Sequence, residues 1–151
     1  MEQQQVSEEQ LMQMAQQEEA NLQNKHSMLS QLSSALKETV IARDALIEIK
    51  NTKGKVLVNL GATVLIEAEI KNVEKCKRGM SENAYKEESI EDTLKWLAEK
   101  EELLQKQITR MNQEYSTSEQ RLTSLVGLLK QIEANKEKQI SSLKRTVENT
   151  K

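Results

Sequence analysis

The residue types that most often do chemistry are scarce in this sequence and poorly spaced for it. His26 is the single histidine and Cys76 the single cysteine. Neither has a second thiol or imidazole at metal-binding spacing, so His26 reads as a solvated helix residue and Cys76 as a quiet strand thiol. A lone cysteine also excludes an intrachain disulfide and suits a reduced intracellular compartment. Carboxylates are plentiful, in Glu87-Glu88, Glu91-Asp92 and Glu99-Glu101-Glu102. Paired carboxylates serve as general acid and base when their environments push their pKa values apart. Here they are read as the solvated faces of a heptad helix. No phosphate-binding glycine loop, nucleophile elbow or metal motif is present. The sequence predicts no catalytic, cofactor or metal site, and the chain is not read as an enzyme.

What could act instead is apolar surface, so the elements that carry it matter most. The passage Lys55 to Ile70, KVLVNLGATVLIEAEI, places Val56, Val58, Leu60, Val64, Ile66 and Ile70 at mostly even spacing. Alternation of β-branched residues at period two reads as strand, and Gly61-Ala62-Thr63 reads as a turn or bulge between two strands. An isolated hairpin is marginal in water and leaves open edges, which gives these strands a physical reason to pair with other subunits. A second, more polar hairpin is predicted over residues 73–86, with Gly79, Ser81 and Asn83 as turn candidates.

Long helical segments flank the strands. Ser7 and Gln10 resemble a capping box that starts a helix near residue 8, after a few residues expected to be disordered. Heptads then run to Lys50. Leu22, Leu29 and Leu36 share one core position, and Leu11, Leu32 and Leu46 share the other. Glu18, Lys25, Thr39 and Arg43 also fall at core positions, where polar groups weaken a seam but can fix its register. Asn51-Thr52-Lys53-Gly54 ends this helix, with Gly54 suited to a left-handed conformation. Ser89 is the predicted N-cap of the second helix, which runs over residues 89–149. Ile90, Leu97, Leu104, Met111, Leu125 and Ile132 form one core row, and Leu94, Ile108, Tyr115, Leu122, Leu129 and Leu143 the other. Gly127 is an isolated interior glycine.

Composition agrees with this picture. The chain has 151 residues, of which 30% are charged and 2% aromatic, with no proline or phenylalanine. That profile fits long helices better than a compact core built on aromatic bulk. A net charge of −2 argues against nucleic acid as a ligand, because phosphate binding needs a dense basic face. No apolar run reaches membrane-spanning length and no signal segment opens the chain, so a cytoplasmic protein is expected. The acidic start of the first helix, with five glutamates and no lysine or arginine up to Asn24, should lie near the more basic end of the second. The expected fold class is mainly α with small β. It is a long antiparallel two-helix coiled coil joined by one or two β-hairpins, a single domain over 1–151 with helix at 8–50, the β region at 55–86 and helix at 89–149.

This order of elements resembles the prefoldin family, and in particular its α class of subunits, which carries two hairpins. The resemblance rests on VLVNLGATVLIEAEI (Val56 to Ile70), on KEESIEDTL (Lys86 to Leu94) at the entry to the second helix, and on the distance from Gly61 to Ser89. The family often has proline where this chain has Asn59, and a glycine-rich second hairpin where this chain has Gly-Met-Ser-Glu-Asn-Ala-Tyr. The resemblance implies a hexamer of two α-class and four β-class subunits whose hairpins join into a β-barrel body. It implies holding of non-native proteins at the coil tips without ATP and delivery to a group II chaperonin, with actin and tubulin as eukaryotic clients.

On this reading Val56, Val58, Leu60, Gly61, Val64, Ile66, Ile70 and Trp96 are assembly residues, Trp96 covering the barrel or a neighbouring subunit, or else packed locally on its own hairpin. Leu11, Met12 and Met14 on the first helix, and Ile140, Leu143 and Val147 on the second, are the client-binding tip residues, methionine being flexible and polarizable. Neither a membrane nor a nucleic acid is an expected partner. Rival readings are a scaffold or transcriptional adaptor with the same fold, a dimeric tether whose residues 55–86 form an incidental loop, and a filament of one subunit type.

Overall fold

The computed structural model describes residues 6–148. Two long helices enclose two antiparallel hairpins in the order α1 (Glu8–Asn51), β1 (Lys55–Gly61), β2 (Val64–Glu69), β3 (Lys75–Ser81), β4 (Ala84–Ser89) and α2 (Ile90–Glu148). This is the mainly helical class that the heptads and the alternating passage predict. The expected disordered start and the expected helix at Asn149 lie outside the described residues.

α1 begins at a reciprocal capping box. Ser7 Oγ accepts from the Gln10 backbone N–H at 3.2 Å, and Gln10 Oε1 accepts from the Ser7 N–H at 2.9 Å, so two otherwise orphaned donors are satisfied. The helix ends in a Schellman motif. The Gly54 N–H donates to the Ile49 carbonyl at 2.9 Å and the Lys53 N–H to the Lys50 carbonyl at 3.4 Å. Left-handed backbone is shared by Lys53, at φ 53°, and Gly54, at φ 89°. Only Gly54 is irreplaceable on steric grounds, because a Cβ there would overlap the Ile70 carbonyl oxygen. The Ile70 N–H in turn donates to the Gly54 carbonyl at 2.8 Å, tying the exit of α1 to the end of the first hairpin.

The chain forms two compact units, Met1–Leu29 with Arg110–Lys151, and Ser30–Thr109. In the first, the inward side chains of α1 are Leu11, Ala15, Glu18, Leu22, Lys25 and Leu29, at alternating spacings of three and four residues. Those of α2 are Met111, Tyr115, Ser118, Leu122, Leu125, Leu129 and Ile132. Lys25 reaches Ser118 and Glu8 reaches Lys136, so the segments run antiparallel and the acidic start of α1 meets the basic part of α2. Covering stops at Ile132, and residues 133–147 are exposed throughout. Leu143, predicted for the core row, is therefore 65% exposed. Its heptad position is correct, but Glu8, the first residue of α1, already pairs with Lys136, and α1 offers no residue further on to cover it.

In the second unit Leu32, Leu36, Thr39, Arg43 and Leu46 of α1 and Ile90, Leu97, Glu101, Leu104 and Ile108 of α2 turn inward. The polar seam positions are answered one by one. Thr39, 3% exposed, donates to the Ala35 carbonyl at 2.7 Å. Arg43 pairs with Glu101. In the first unit, Lys25 donates to Ser118 Oγ and to the Glu114 carbonyl. Glu18 differs, for its Oε1 is buried without a hydrogen-bond partner.

The first hairpin pairs Val56 with Ala68, Val58 with Ile66 and Asn59 with Leu65, then shifts so that Gly61 faces Val64 and Leu60 is left as a bulge. Its two turn residues, Ala62 at φ 48° and Thr63 at φ 63°, adopt the primed geometry that matches strand twist, with neither residue a glycine. The second hairpin turns at Glu82-Asn83 and runs further than the sequence suggests, to Ser89 rather than residue 86. The Ile90 N–H donates to the Glu74 carbonyl at 2.8 Å, and Ser89 Oγ accepts from the Asp92 N–H at 3.0 Å. The strand thus passes directly into α2, Ser89 ending one element and capping the next.

Candidate functional site

Pairing and alternation assign the side chains of the first hairpin to two faces. Val56, Val58, Ile66 and Ala68 share one, and Leu57, Asn59, Leu65 and Glu67 share the other. Apolar side chains are exposed on both, with Val58 at 41% and Ile66 at 50% on the first, Leu57 at 63% and Leu65 at 56% on the second. Leu60 and Val64 at the tip are exposed as well, whereas Val56 and Ile70 at the base are half-buried. Gly61 holds φ 99° with open space around it, and Asn59 Oδ1 accepts its N–H at 2.8 Å. Among the described residues each sheet has two strands, and the outer edges of β1 and β2 have no ladder partner there. This hairpin therefore exposes apolar surface on both faces and unpaired backbone at both edges. Leu57 and Leu65, which alternate with its even-numbered valines and isoleucines, fall outside the assembly set read from the sequence. The apolar run around Leu57 and Leu65 was the available signal, because a strand buried on both faces loses its alternation.

The second hairpin is fastened to its own helix. Arg78 Nε donates to Glu88 Oε1 at 2.7 Å, Lys86 lies 3.4 Å from Glu88 Oε2, and Thr93 Oγ1 lies 3.0 Å from Glu88 Oε1. Cys76 Sγ sits 3.0 Å from the same Thr93 hydroxyl. The Arg78 guanidinium is 4.4 Å from the ring centroid of Trp96, and the Lys100 ammonium is 5.0 Å from it. Trp96 is half-buried, as a platform for two cations rather than as bare apolar surface. The Arg78 hydrogen bond above all, then that of Thr93, draws the Glu88 carboxyl down to about 2 against the opposing effect of burial. Two carboxylates expected on solvated faces are therefore structural. Glu88 lies on a strand with its side chain 9% exposed, and Glu101 faces Arg43 with its side chain 18% exposed. His26 remains exposed, its ring tilted against Tyr115 at a centroid distance of 6.5 Å. Among the described residues no group of three or more His, Cys, Asp or Glu could hold a metal ion, and no helix is long and apolar enough to cross a membrane.

The predicted tip residues separate into two kinds. Leu11 is 8% exposed and belongs to the seam. Met12 and Met14 are each 50% exposed on α1, and Ile140, Leu143 and Val147 are 53%, 65% and 64% exposed on α2. The latter three follow helical spacing closely enough to share one side of the uncovered stretch. Leu128, 47% exposed, joins the apolar surface near Met14 and was missed because it lies beside the heptad rows.

A family model described as prefoldin subunit matches residues 15–135, which include both hairpins and every residue of the expected assembly set. Leu11, Met12, Met14, Ile140, Leu143 and Val147 lie outside that span. Among solved structures, the chain is similar to the cryo-EM structure of filamentous PFD from Methanocaldococcus jannaschii, with 16% identity and a TM-score of 0.59 over 75% of this chain and 95% of that one. At that identity the likeness is one of fold. No curated protein matches.

Proposed function

The chain belongs to the prefoldin subunit family, and from that premise we propose that it is an α-class subunit of a heterohexameric prefoldin, an ATP-independent holdase. The family is one of non-enzymatic chaperones whose members form oligomeric complexes with other prefoldin subunits. The presence of a second hairpin supports the α class. The observation that carries the reading is the first hairpin, apolar on both faces and unpaired at both edges. Enclosed between the strands of a second α-class subunit and of β-class subunits, it would lose both liabilities at once. Met12, Met14, Ile140, Leu143 and Val147 then supply exposed apolar surface for non-native clients, held in the cytoplasm and passed to a group II chaperonin. Actin and tubulin are the clients if the source is eukaryotic.

The test is co-expression with β-class subunits, followed by native mass measurement and an aggregation assay on a denatured protein. A hexamer with two copies of this chain that keeps the denatured protein in solution is expected. A dimer that ignores every β-class subunit would overturn the assembly, and a hexamer with no holding activity would leave a scaffold.

A further inference from the structure

Of the four polar residues that α1 places in its seam, only Glu18 has a buried oxygen with nothing to accept from. It lines an open groove of the first unit together with Met14, Arg121, Leu125 and Leu128. A carboxylate at a leucine position gives up apolar burial and leaves a buried oxygen without a donor, so it weakens the coil it belongs to. Among the described residues no cation forms an ion pair with Glu18. Lys25 is committed to Ser118 and the Glu114 carbonyl, and Lys136 to Glu8. Arg121 lines the same groove, yet forms no ion pair with Glu18. From α1 the groove takes Met14, Gln17 and Glu18, so that flank carries one carboxylate and no cation. Met14 and Leu128 keep about half of their surface in water beside this charge.

We infer that this groove selects client segments that set a lysine or arginine beside a large apolar side chain. The apolar side chain would lie against Met14 and Leu128, while the cation would pair with the Glu18 carboxylate as that side chain turns from the seam into the groove it lines. The inference rests on the holdase reading above and narrows the class of polypeptide held by this subunit. It gives Glu18 a reason to occupy a seam position, since a leucine would make the better coil. A charge-assisted hydrogen bond in a partly desolvated site distinguishes a basic from an acidic neighbour by about tenfold in affinity.

The experiment uses the assembled complex and two fluorescent peptides of equal apolar content, one with leucines flanked by lysine and arginine, the other with the same leucines flanked by glutamate. Anisotropy titrations are made with the native chain, Glu18→Leu, Glu18→Gln and Arg121→Gln. The expected result is a preference of about tenfold for the basic peptide, lost in Glu18→Leu and Glu18→Gln, raised in Arg121→Gln, and reduced by salt. Glu18→Leu should also raise the melting temperature, which separates lost selectivity from lost folding. Equal binding of both peptides by the native complex, or a preference that survives Glu18→Leu, overturns the inference while leaving the holdase reading standing. A lower melting temperature in Arg121→Gln with no gain in basic-peptide affinity overturns it too, by making Arg121 the internal partner of Glu18. If neither peptide nor any denatured protein is held, the holdase reading itself fails.

Discussion

Glu88 gives its carboxylate to Arg78, Thr93 and Lys86, and the sign of its acid response follows. Its folded pKa of about 2 lies below the ordinary 4.5, so its contribution is fully present above pH 4.5 and is lost as the pH falls towards 2. Trp96 is the single tryptophan and stacks with Arg78, so its fluorescence reports the release of that guanidinium. An acid titration should show a Trp96 transition between pH 4.5 and 2. Glu88→Gln should show the acid spectrum already at neutral pH and no transition. Gly127 supplies a stability prediction of a different kind. It sits inside α2 with nothing within reach of an added Cβ. Gly127→Ala should therefore stabilise the chain by about 1 kcal/mol through helix propensity alone, raising Tm by about 2–4 °C in a calorimetric scan.

At the scale of the elements, the first hairpin holds two L-residues, Ala62 and Thr63, where glycine or asparagine is preferred, and Thr63 is β-branched as well. Ala62→Asn with Thr63→Gly should relieve about 1–2 kcal/mol and increase hydrogen-exchange protection across β1 and β2. Gly54→Ala should have the opposite effect and unlatch α1 from the hairpin, because the Ile70 carbonyl occupies the space a Cβ needs. Most of the elements were legible in the sequence because their signals are local and repeated. Heptads place Leu22, Leu29 and Leu36 without knowledge of a partner, and a capping box is written in the two residues Ser7 and Gln10. The second hairpin was blurred at its end because Lys86, Glu87 and Glu88 carry no apolar alternation, their strand being set by pairing with Arg78, Lys77 and Cys76. Glu101 was misread for the same kind of reason, since its partner Arg43 is distant in sequence.

For the whole molecule, the question is what the two apolar faces of the first hairpin do once subunits meet. A hairpin lying on a barrel surface would bury one face, and a hairpin within it would bury both. The double variants Val58→Ser/Ile66→Ser and Leu57→Ser/Leu65→Ser sample the faces separately, as the register places each pair on one side. Each buried side chain is worth about 2 kcal/mol against exposure, so either double variant removes several kcal/mol per subunit from an assembly that uses that face. The heptad seams of α1 and α2 do not involve these residues, so the helical circular-dichroism signal should persist. The expected outcome is that each variant, co-expressed with β-class subunits, loses the hexamer in native mass measurement while remaining helical. A hexamer that survives the Leu57/Leu65 change but not the Val58/Ile66 change would mean that one face stays open to water. The exposed leucines would then join Met14 and Leu143 in the surface proposed to hold clients, rather than in the surface proposed to assemble subunits.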